Sequence, residues 1–199
     1  MDQTGILNMA LHHLGIEPIL SIDDLNPAAK VLKDFWVPAR DDTYSEHRWP
    51  FADVQLALEL VSGVTVIGWD YVYGYPVNVA RVWNVYSEGQ VAYKEEREFE
   101  KKYSPAYERS IICSNDDYAY ADVTYIIENV DLWDPKFCMA HSLKMASLAC
   151  PDLVGDGDKA LQLMQLYTGV INEAKRIGSV EQKKKPNQNS SDGTINSRG

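Results

Sequence analysis

The spacing of apolar residues changes twice along this 199-residue chain, and these two changes constrain its fold most strongly. Before about residue 52 and after about residue 130, apolar residues recur every three or four positions, which predicts amphipathic helices. From Asp53 to Asn129 apolar and polar residues alternate, and aromatic and β-branched residues become dense, which predicts strands. Each helix has a single apolar face that the other helices must cover.

These patterns predict a mainly α fold, in which a four-helix bundle carries a β subdomain inserted between helices 2 and 3. The bundle is assigned to residues 1–52 and 130–177, and the β subdomain to residues 53–129. Residues 178–199 follow as an extended C-terminal arm. With Ile195 as its only large apolar residue after Val180, the arm cannot be ordered by burial and is expected to be flexible in the free subunit.

Local stop and start signals mark the helix ends. The first helix is predicted over residues 4–14 because Gly15 follows the last apolar residue. Asn26-Pro27 supplies a cap and a first-turn proline for the second, which is expected to kink at Pro38 and to end near His47. Asp134-Pro135 starts the third helix in the same way, and this helix is predicted to end near residue 149. Asp158 is expected to cap the fourth helix.

Five strands are predicted within the alternating stretch. They lie at residues 54–61, 64–75, 79–86, 109–114 and 119–128. The charged run at residues 94–102 is interpreted as a solvated loop or hairpin. Four aromatic residues recur in the second of these strands, where they either fill the sheet core or form a subunit interface. Because no basic residue is interleaved with them, stacking on nucleobases is disfavoured, and we assign the interface to Trp69, Tyr71, Tyr73 and Tyr75.

The residue types that carry catalysis do not form a recognisable site. His12 and His13 are adjacent on a helix and point about 100° apart, while His47 and His141 are isolated in sequence. Nucleophile, phosphate-loop and zinc-protease motifs are missing. The acidic pairs occur in turns or on a helix surface and are interpreted as structural: Asp23-Asp24, Asp41-Asp42 and Asp116-Asp117. The three cysteines, Cys113, Cys138 and Cys150, are interpreted as reduced core thiols. We predict no catalytic residues, no metal site and no cofactor.

The charge of the chain restricts its partners. A net charge of −10 argues against a surface that grips nucleic acid, but it is compatible with a conduit past which DNA slides. No apolar run is long enough to predict a membrane partner. The arm carries about +2 against −12 for the remainder, so it can be steered to an acidic partner.

Several motifs occur in an order that resembles the head-to-tail adaptor proteins of tailed phages, the tail tubular protein A and tail accessory factor families. They are ALHHLG at 10–15, SIDD at 21–24, PAA at 27–29, Trp36, ARD at 39–41, HRWPFA at 47–52, YVYGYP at 71–76 and RV at 81–82. The resemblance covers most of residues 4–177, with its motifs concentrated in 10–82.

This resemblance implies a ring of about twelve copies between the portal and the tail nozzle, or a further ring protein, in the neck of the virion. The subunits would assemble in the host cytoplasm, and DNA would pass through the channel at genome ejection without sequence-specific binding. By position, the arm that binds the portal would comprise Lys183, Lys184, Lys185, Pro186, Asn187, Ile195 and Arg198. Two alternatives remain: a virion-associated cell-wall hydrolase, which needs two carboxyls facing across a cleft within roughly 10 Å, and a different neck or tail ring protein.

Overall fold

The structure is a computed structural model that describes residues 1–87 and 98–181, with side chains up to residue 177. Four helices are present in the described residues: α1 Gln3–Leu14, α2 Pro27–Glu46, α3 Pro135–Leu153 and α4 Gly157–Glu181. Asn26 and Asp134 cap α2 and α3 by accepting the backbone N–H two residues ahead. Gly15 ends α1 in the left-handed conformation, with a φ of 73°. The predicted starts of α1, α2 and α3 are thus confirmed to within a residue. The cap predicted for α4 is wrong, because α4 begins at Gly157 and Asp156, not Asp158, accepts the backbone N–H of Lys159.

Six strands lie between α2 and α3 in the described part of the chain. They are β1 Asp53–Ala57, β2 Tyr71–Gly74, β3 Val79–Ser87, β4 Phe99–Ser104, β5 Arg109–Ser114 and β6 Ala119–Tyr125. They form two separate antiparallel sheets. The first has the order β1-β6-β3 and the second the order β2-β5-β4.

The predicted fold class, mainly α with a four-helix bundle and one inserted β subdomain, is wrong. Residues 1–87 and 98–181 contain four helices and two three-stranded antiparallel sheets, with 47% helix and 24% strand, so the strands are a major part of the fold. Helix α3 lies at the centre of the helices and contacts α1, α2 and α4, whereas α2 also packs on β3 and β6. The apolar faces of the helices are therefore covered partly by the β strands, and the helices do not need to close a bundle around themselves.

Three hydrophobic cores are present in the described part of the chain. The largest lies among the helices, and its buried residues include Leu32, Trp49, Phe137 and Met145. A smaller one lies between the two sheets, and the third lies on the outer face of the second sheet, under the β1–β2 connection. Alternation along β5 explains this layout, because Ile112 faces the core between the sheets while Ile111 and Cys113 face the outer one.

Three local predictions were also wrong. Residues 99–102 of the charged run, which was predicted to be a solvated loop or hairpin, belong to strand β4, and residues 94–97 of that run lie outside the described residues. The long second strand, predicted over residues 64–75, is mostly a loop, because Gly68 takes a φ of 90° that interrupts extended backbone, and only Tyr71–Gly74 form β2. Helix α3 continues through Pro151 to Leu153. Helix α2 also continues through Pro38, as predicted.

An aromatic junction joins the helices to the sheets. The ring of Phe137 lies 4.3 Å from that of Tyr44, 4.9 Å from Trp133 and 5.1 Å from Trp49. The Tyr44 hydroxyl and the Trp133 indole N–H both donate to the carbonyl of Ile127, at 3.1 and 2.8 Å. The chain segment that returns from β6 is thereby fixed to α2 and α3, so the sheets have a defined position on the helices.

None of the helices in the described residues has both the length and the apolar composition needed to span a bilayer.

Candidate subunit-interaction surfaces

The four aromatic residues assigned to the subunit interface lie in different environments. Tyr73 is 1% exposed, and its hydroxyl donates to the Asp116 carbonyl at 2.6 Å. Burial raises the pKa of Tyr73. Trp69 and Tyr71 are half-buried, packed against the outer core and the core between the sheets respectively. Tyr73 therefore offers no surface to a neighbour, whereas Tyr75, also half-buried, lies beside exposed cations.

Two cations and two aromatic rings form a feature that we call the cation–aromatic strip: Tyr75, Arg81, Trp83 and Lys101. The Lys101 ammonium lies 4.0 Å from the centre of the Tyr75 ring, and the Arg81 guanidinium lies 4.3 Å from that of Trp83. The two pairs are neighbours, because the Tyr75 hydroxyl contacts the backbone of Val82, between Arg81 and Trp83 in sequence. Burial raises the pKa of Tyr75, and a hydrogen bond with the Val82 backbone and the charge of Arg81 oppose that rise.

Sequence reasoning missed this strip because its members come from three separate parts of the chain. Tyr75 follows β2, Arg81 and Trp83 lie on β3, and Lys101 lies on β4. The stretch around Tyr75 contains no basic residue, and only the pairing of β2 and β4 with β5 brings Lys101 near it. The local sequence contains no signal that would have revealed this contact.

The cations of the strip lack the carboxylate partners that most lysines on the helices have within the described residues. Four helical lysines pair with carboxylates: Lys33 with Asp23, Lys136 with Glu173, Lys144 with Asp42 and Lys175 with Glu46. Within the described residues, Arg81 and Lys101 pair with no carboxylate, although Arg81 donates to the Ser45 carbonyl at 3.1 Å.

The connection between α1 and α2, residues 15–26, presents the opposite chemistry; we call it the α1–α2 loop. Leu20 and Leu25 are 96% and 102% exposed there, beside the exposed carboxylates of Glu17 and Asp23. The loop is held in place from within, because Asp24 accepts the backbone N–H of Leu20 at 2.9 Å. The Asn8 side chain exchanges two hydrogen bonds with Ile19, at 2.8 and 3.0 Å. The leucines are thus fixed outward.

Another fully exposed apolar residue lies in the β part of the chain. Ile67 is 101% exposed in the β1–β2 connection. Next to it, a shallow depression of about 360 Å³ is lined by residues 63–66, by residues 102–106 and by Ile111. No charged cluster lines this depression, since Lys102 is its single ionisable cation and pairs with Glu100 at 2.9 Å.

A polar cluster on the first sheet brings the carboxyls of Asp53 and Asp122 to the same guanidinium, that of Arg48. Arg48 donates to Asp53 at 2.8 Å and contacts Asp122 at 3.1 Å, and Asp122 also accepts from Tyr86 at 2.8 Å. Burial alone would lower the pKa of Arg48, but Asp53 and Asp122 together raise it. One guanidinium bridges both carboxyls, and neither carboxyl lines the depression described above.

The remaining ionisable candidates have structural surroundings. His141 is fully buried between Trp36, at 4.7 Å, and Trp133, at 5.4 Å, and burial lowers its pKa to about 3. The acidic pairs interpreted as structural make local contacts: Asp41 pairs with Arg40, and Asp116 accepts from Ser87. All three cysteines are buried and unbridged, as predicted. No group of three potential metal ligands occurs in residues 1–87 or 98–177.

The arm residues assigned to the portal, from Lys183 to Arg198, lie outside the described residues. Helix α4 extends to Glu181, so the first four residues of the segment assigned as an arm are helical.

Neither comparison with known proteins yields a relative: no family model matches the chain, and no curated protein sequence matches it. What the chain does must therefore be inferred from its own residues and their geometry.

Proposed function

We propose that this chain is a structural subunit of the ring that joins a phage head to its tail. About twelve copies form the ring between the portal and the tail nozzle, or the next ring, in the virion neck. The subunits assemble in the host cytoplasm, and DNA leaves the head through the channel without sequence-specific contacts. The chain acts by binding other subunits and not by catalysis.

The observation that carries the proposal is the order of motifs between residues 10 and 82, which resembles that of head-to-tail adaptors. In the structure, two of these motifs lie at places that define the fold or its surface. Trp49 of the HRWPFA motif is 1% exposed and packs in the aromatic junction. The SIDD motif lies in the α1–α2 loop, between the outward leucines Leu20 and Leu25. Motifs that lie in the core and in a surface loop fit a subunit that acts through its contact surfaces.

The surfaces support a heterologous ring. In such a ring, one face of each subunit meets a different face of its neighbour. Large apolar side chains are fully exposed in two separate connections, the α1–α2 loop with Leu20 and Leu25 and the β1–β2 connection with Ile67. Single exposed apolar residues are common on proteins, but two outward leucines fixed in one loop favour a contact surface.

Binding to the portal tests the proposal directly. Purified protein is mixed with phage heads that carry a portal and, separately, with isolated tails, and each mixture is sedimented. Attachment to heads is the expected result. Binding to isolated tails and not to heads would assign the chain to a different tail ring instead.

Removal of the arm tests how the ring is anchored. Because α4 extends to Glu181, the deletion should start at residue 182 and leave the helix intact. The shortened protein should fold normally and no longer attach to heads. A matched variant, with Lys183, Lys184 and Lys185 changed to Gln, separates the charge of the arm from its length: weaker attachment with a reduced salt dependence is expected. Unchanged attachment of the deletion would show that the arm is not the anchor.

A further inference from the structure

The cation–aromatic strip and the α1–α2 loop are complementary in chemistry. The strip offers the positive charges of Arg81 and Lys101 beside half-buried aromatic rings. The loop offers carboxylates beside two leucines that are almost entirely exposed. Apolar side chains that pack on aromatic rings, with charges paired around them, form the usual arrangement of a specific protein interface.

We propose that the α1–α2 loop of one copy of this chain docks on the cation–aromatic strip of a second copy. This inference rests on the proposed ring and names the two faces that its subunits use. Leu20 and Leu25 pack on the rings of Tyr75 and Trp83, and Glu17 pairs with Lys101.

The charges of the described residues favour a second copy as the occupant. Arg81 and Lys101 have no carboxylate partner within the described residues, whereas Glu17 is exposed and likewise has none. Asp23 already pairs with Lys33 at 3.0 Å, which leaves Glu17 as the unpaired carboxylate of the loop. Each copy carries a net charge of −10, so the attraction between two copies comes from the local match between the acidic loop and the basic strip.

The geometry of the contact is heterologous. The loop belongs to the helices and the strip to the two sheets, so one copy uses a different surface from its neighbour and the contact can be repeated around a ring. Neither surface needs to change its fold. The loop is fixed by Asn8 and Asp24, and Arg81 is held by the Ser45 carbonyl. Fixed surfaces reduce the entropy that is lost on association.

A charge exchange tests the contact. The variants Lys101→Glu and Glu17→Lys are prepared in the full-length chain, and self-association is measured by sedimentation velocity as a function of concentration at low salt. The wild type should associate, and each variant alone should associate about tenfold more weakly, because its altered surface meets a like charge. An equimolar mixture of the two variants should recover the wild-type affinity, since every contact between unlike copies is again complementary.

Two matched controls separate this contact from general charge and apolar effects. Lys30→Glu changes the charge equally at an exposed position on α2, and Leu161→Ala removes an exposed leucine on α4 that is 64% exposed. Both should associate as the wild type does. Leu25→Ala should weaken association, and high salt should weaken it further. Far-UV circular dichroism confirms that each variant is folded.

Several outcomes would overturn the inference. A wild type that stays monomeric up to about 1 mM, variants that associate normally, or a mixture that fails to recover affinity would each do so. Binding of a poly-dT oligonucleotide by the wild type and not by Lys101→Glu would identify nucleic acid as the occupant. Attachment to portal-bearing heads is measured separately. Heads that bind a non-associating protein would leave the proposed function intact and remove only this interface.

Discussion

The helices and the sheets use their charged and aromatic side chains differently. On the helices, the aromatic rings of Trp49, Trp133 and Phe137 are buried together, and most lysines pair with carboxylates of the same chain. On the sheets, Tyr75 and Trp83 are only half-buried, and cations that lack carboxylate partners in the described residues lie on them.

The difference indicates a division between stability and interaction. The helical core is the largest of the three and contains most of the buried aromatic rings, although the ring nitrogens of His141 and the Tyr167 hydroxyl are buried in it without a hydrogen-bond partner among the described residues. The sheets enclose two smaller cores and leave part of their aromatic and basic surface available. Substitutions in the helical core should therefore affect stability most, and those on the strip should affect association.

Truncation of the junction should produce the largest loss of stability. Phe137 is fully buried, and Phe137→Ala leaves a cavity among Tyr44, Trp49 and Trp133. The free energy of unfolding in urea should fall by about 3–5 kcal/mol. The control Leu161→Ala, at an exposed position of α4, should change it by less than about 0.5 kcal/mol. A small effect of Phe137→Ala would show that the helices are not the stabilising region.

Loss of the buried carboxylate on the first sheet should have the next largest effect. Asp122→Asn removes the charge that holds Arg48 and Tyr86, and it should lower the free energy of unfolding by about 2–3 kcal/mol. Asp53→Asn, at a more exposed partner of the same guanidinium, should cost about 1 kcal/mol or less. Urea titrations of both variants measure the two losses. A larger loss in Asp53→Asn than in Asp122→Asn would show that Asp122 is not the main partner of Arg48.

Acid should destabilise the helical region through His141. Its pKa is about 3 in the folded chain, against an ordinary 6.5, because burial and then the charge of Arg40 disfavour the protonated ring. The unfolded chain therefore binds the proton first, and stability falls as the pH drops from 6.5 towards 3. The loss from His141 should reach about 2 kcal/mol by pH 5.

The variant His141→Phe should remove most of this slope, measured as the free energy of unfolding at pH 5, 6 and 7. His12→Gln, at an exposed position of α1, is the control and should keep the slope. An unchanged slope in His141→Phe would mean that other groups dominate the acid response.

The smallest effect on stability is expected on the strip. Lys101→Ala removes an exposed cation from the ring of Tyr75, and the free energy of unfolding should fall by no more than about 1 kcal/mol. Thermal and urea denaturation of the variant measure this change. A loss above about 2 kcal/mol would show that the strip stabilises the fold, and the contrast between the two regions would disappear.

The sequence predicted those parts of the fold that local devices determine. Caps at Asn26 and Asp134 and the glycine stop at Gly15 act within a few residues, so the starts of α2 and α3 and the end of α1 were confirmed. Strand β4 was missed because Lys101 and Lys102 hide its alternation, and their environment depends on pairing with β5. The division into two sheets depends on contacts far apart in sequence, as does the cover that β3 and β6 give to α2.

The candidate surfaces were likewise predictable only where their residues are contiguous in sequence. The α1–α2 loop is contiguous, and its motif was visible, although exposure of its leucines was not. The strip is assembled from three parts of the chain, so a search of contiguous residues assigned the interface to Trp69, Tyr71, Tyr73 and Tyr75 and included a residue that is buried.

Imaging of the portal vertex tests the central claim most directly. Portal-bearing heads are incubated with the purified chain and examined by electron cryomicroscopy. The account predicts a ring of about twelve subunits below the portal, in which the α1–α2 loop of each subunit contacts the sheets of the next. Heads without added density at the portal, or subunits that meet through identical faces, would contradict it.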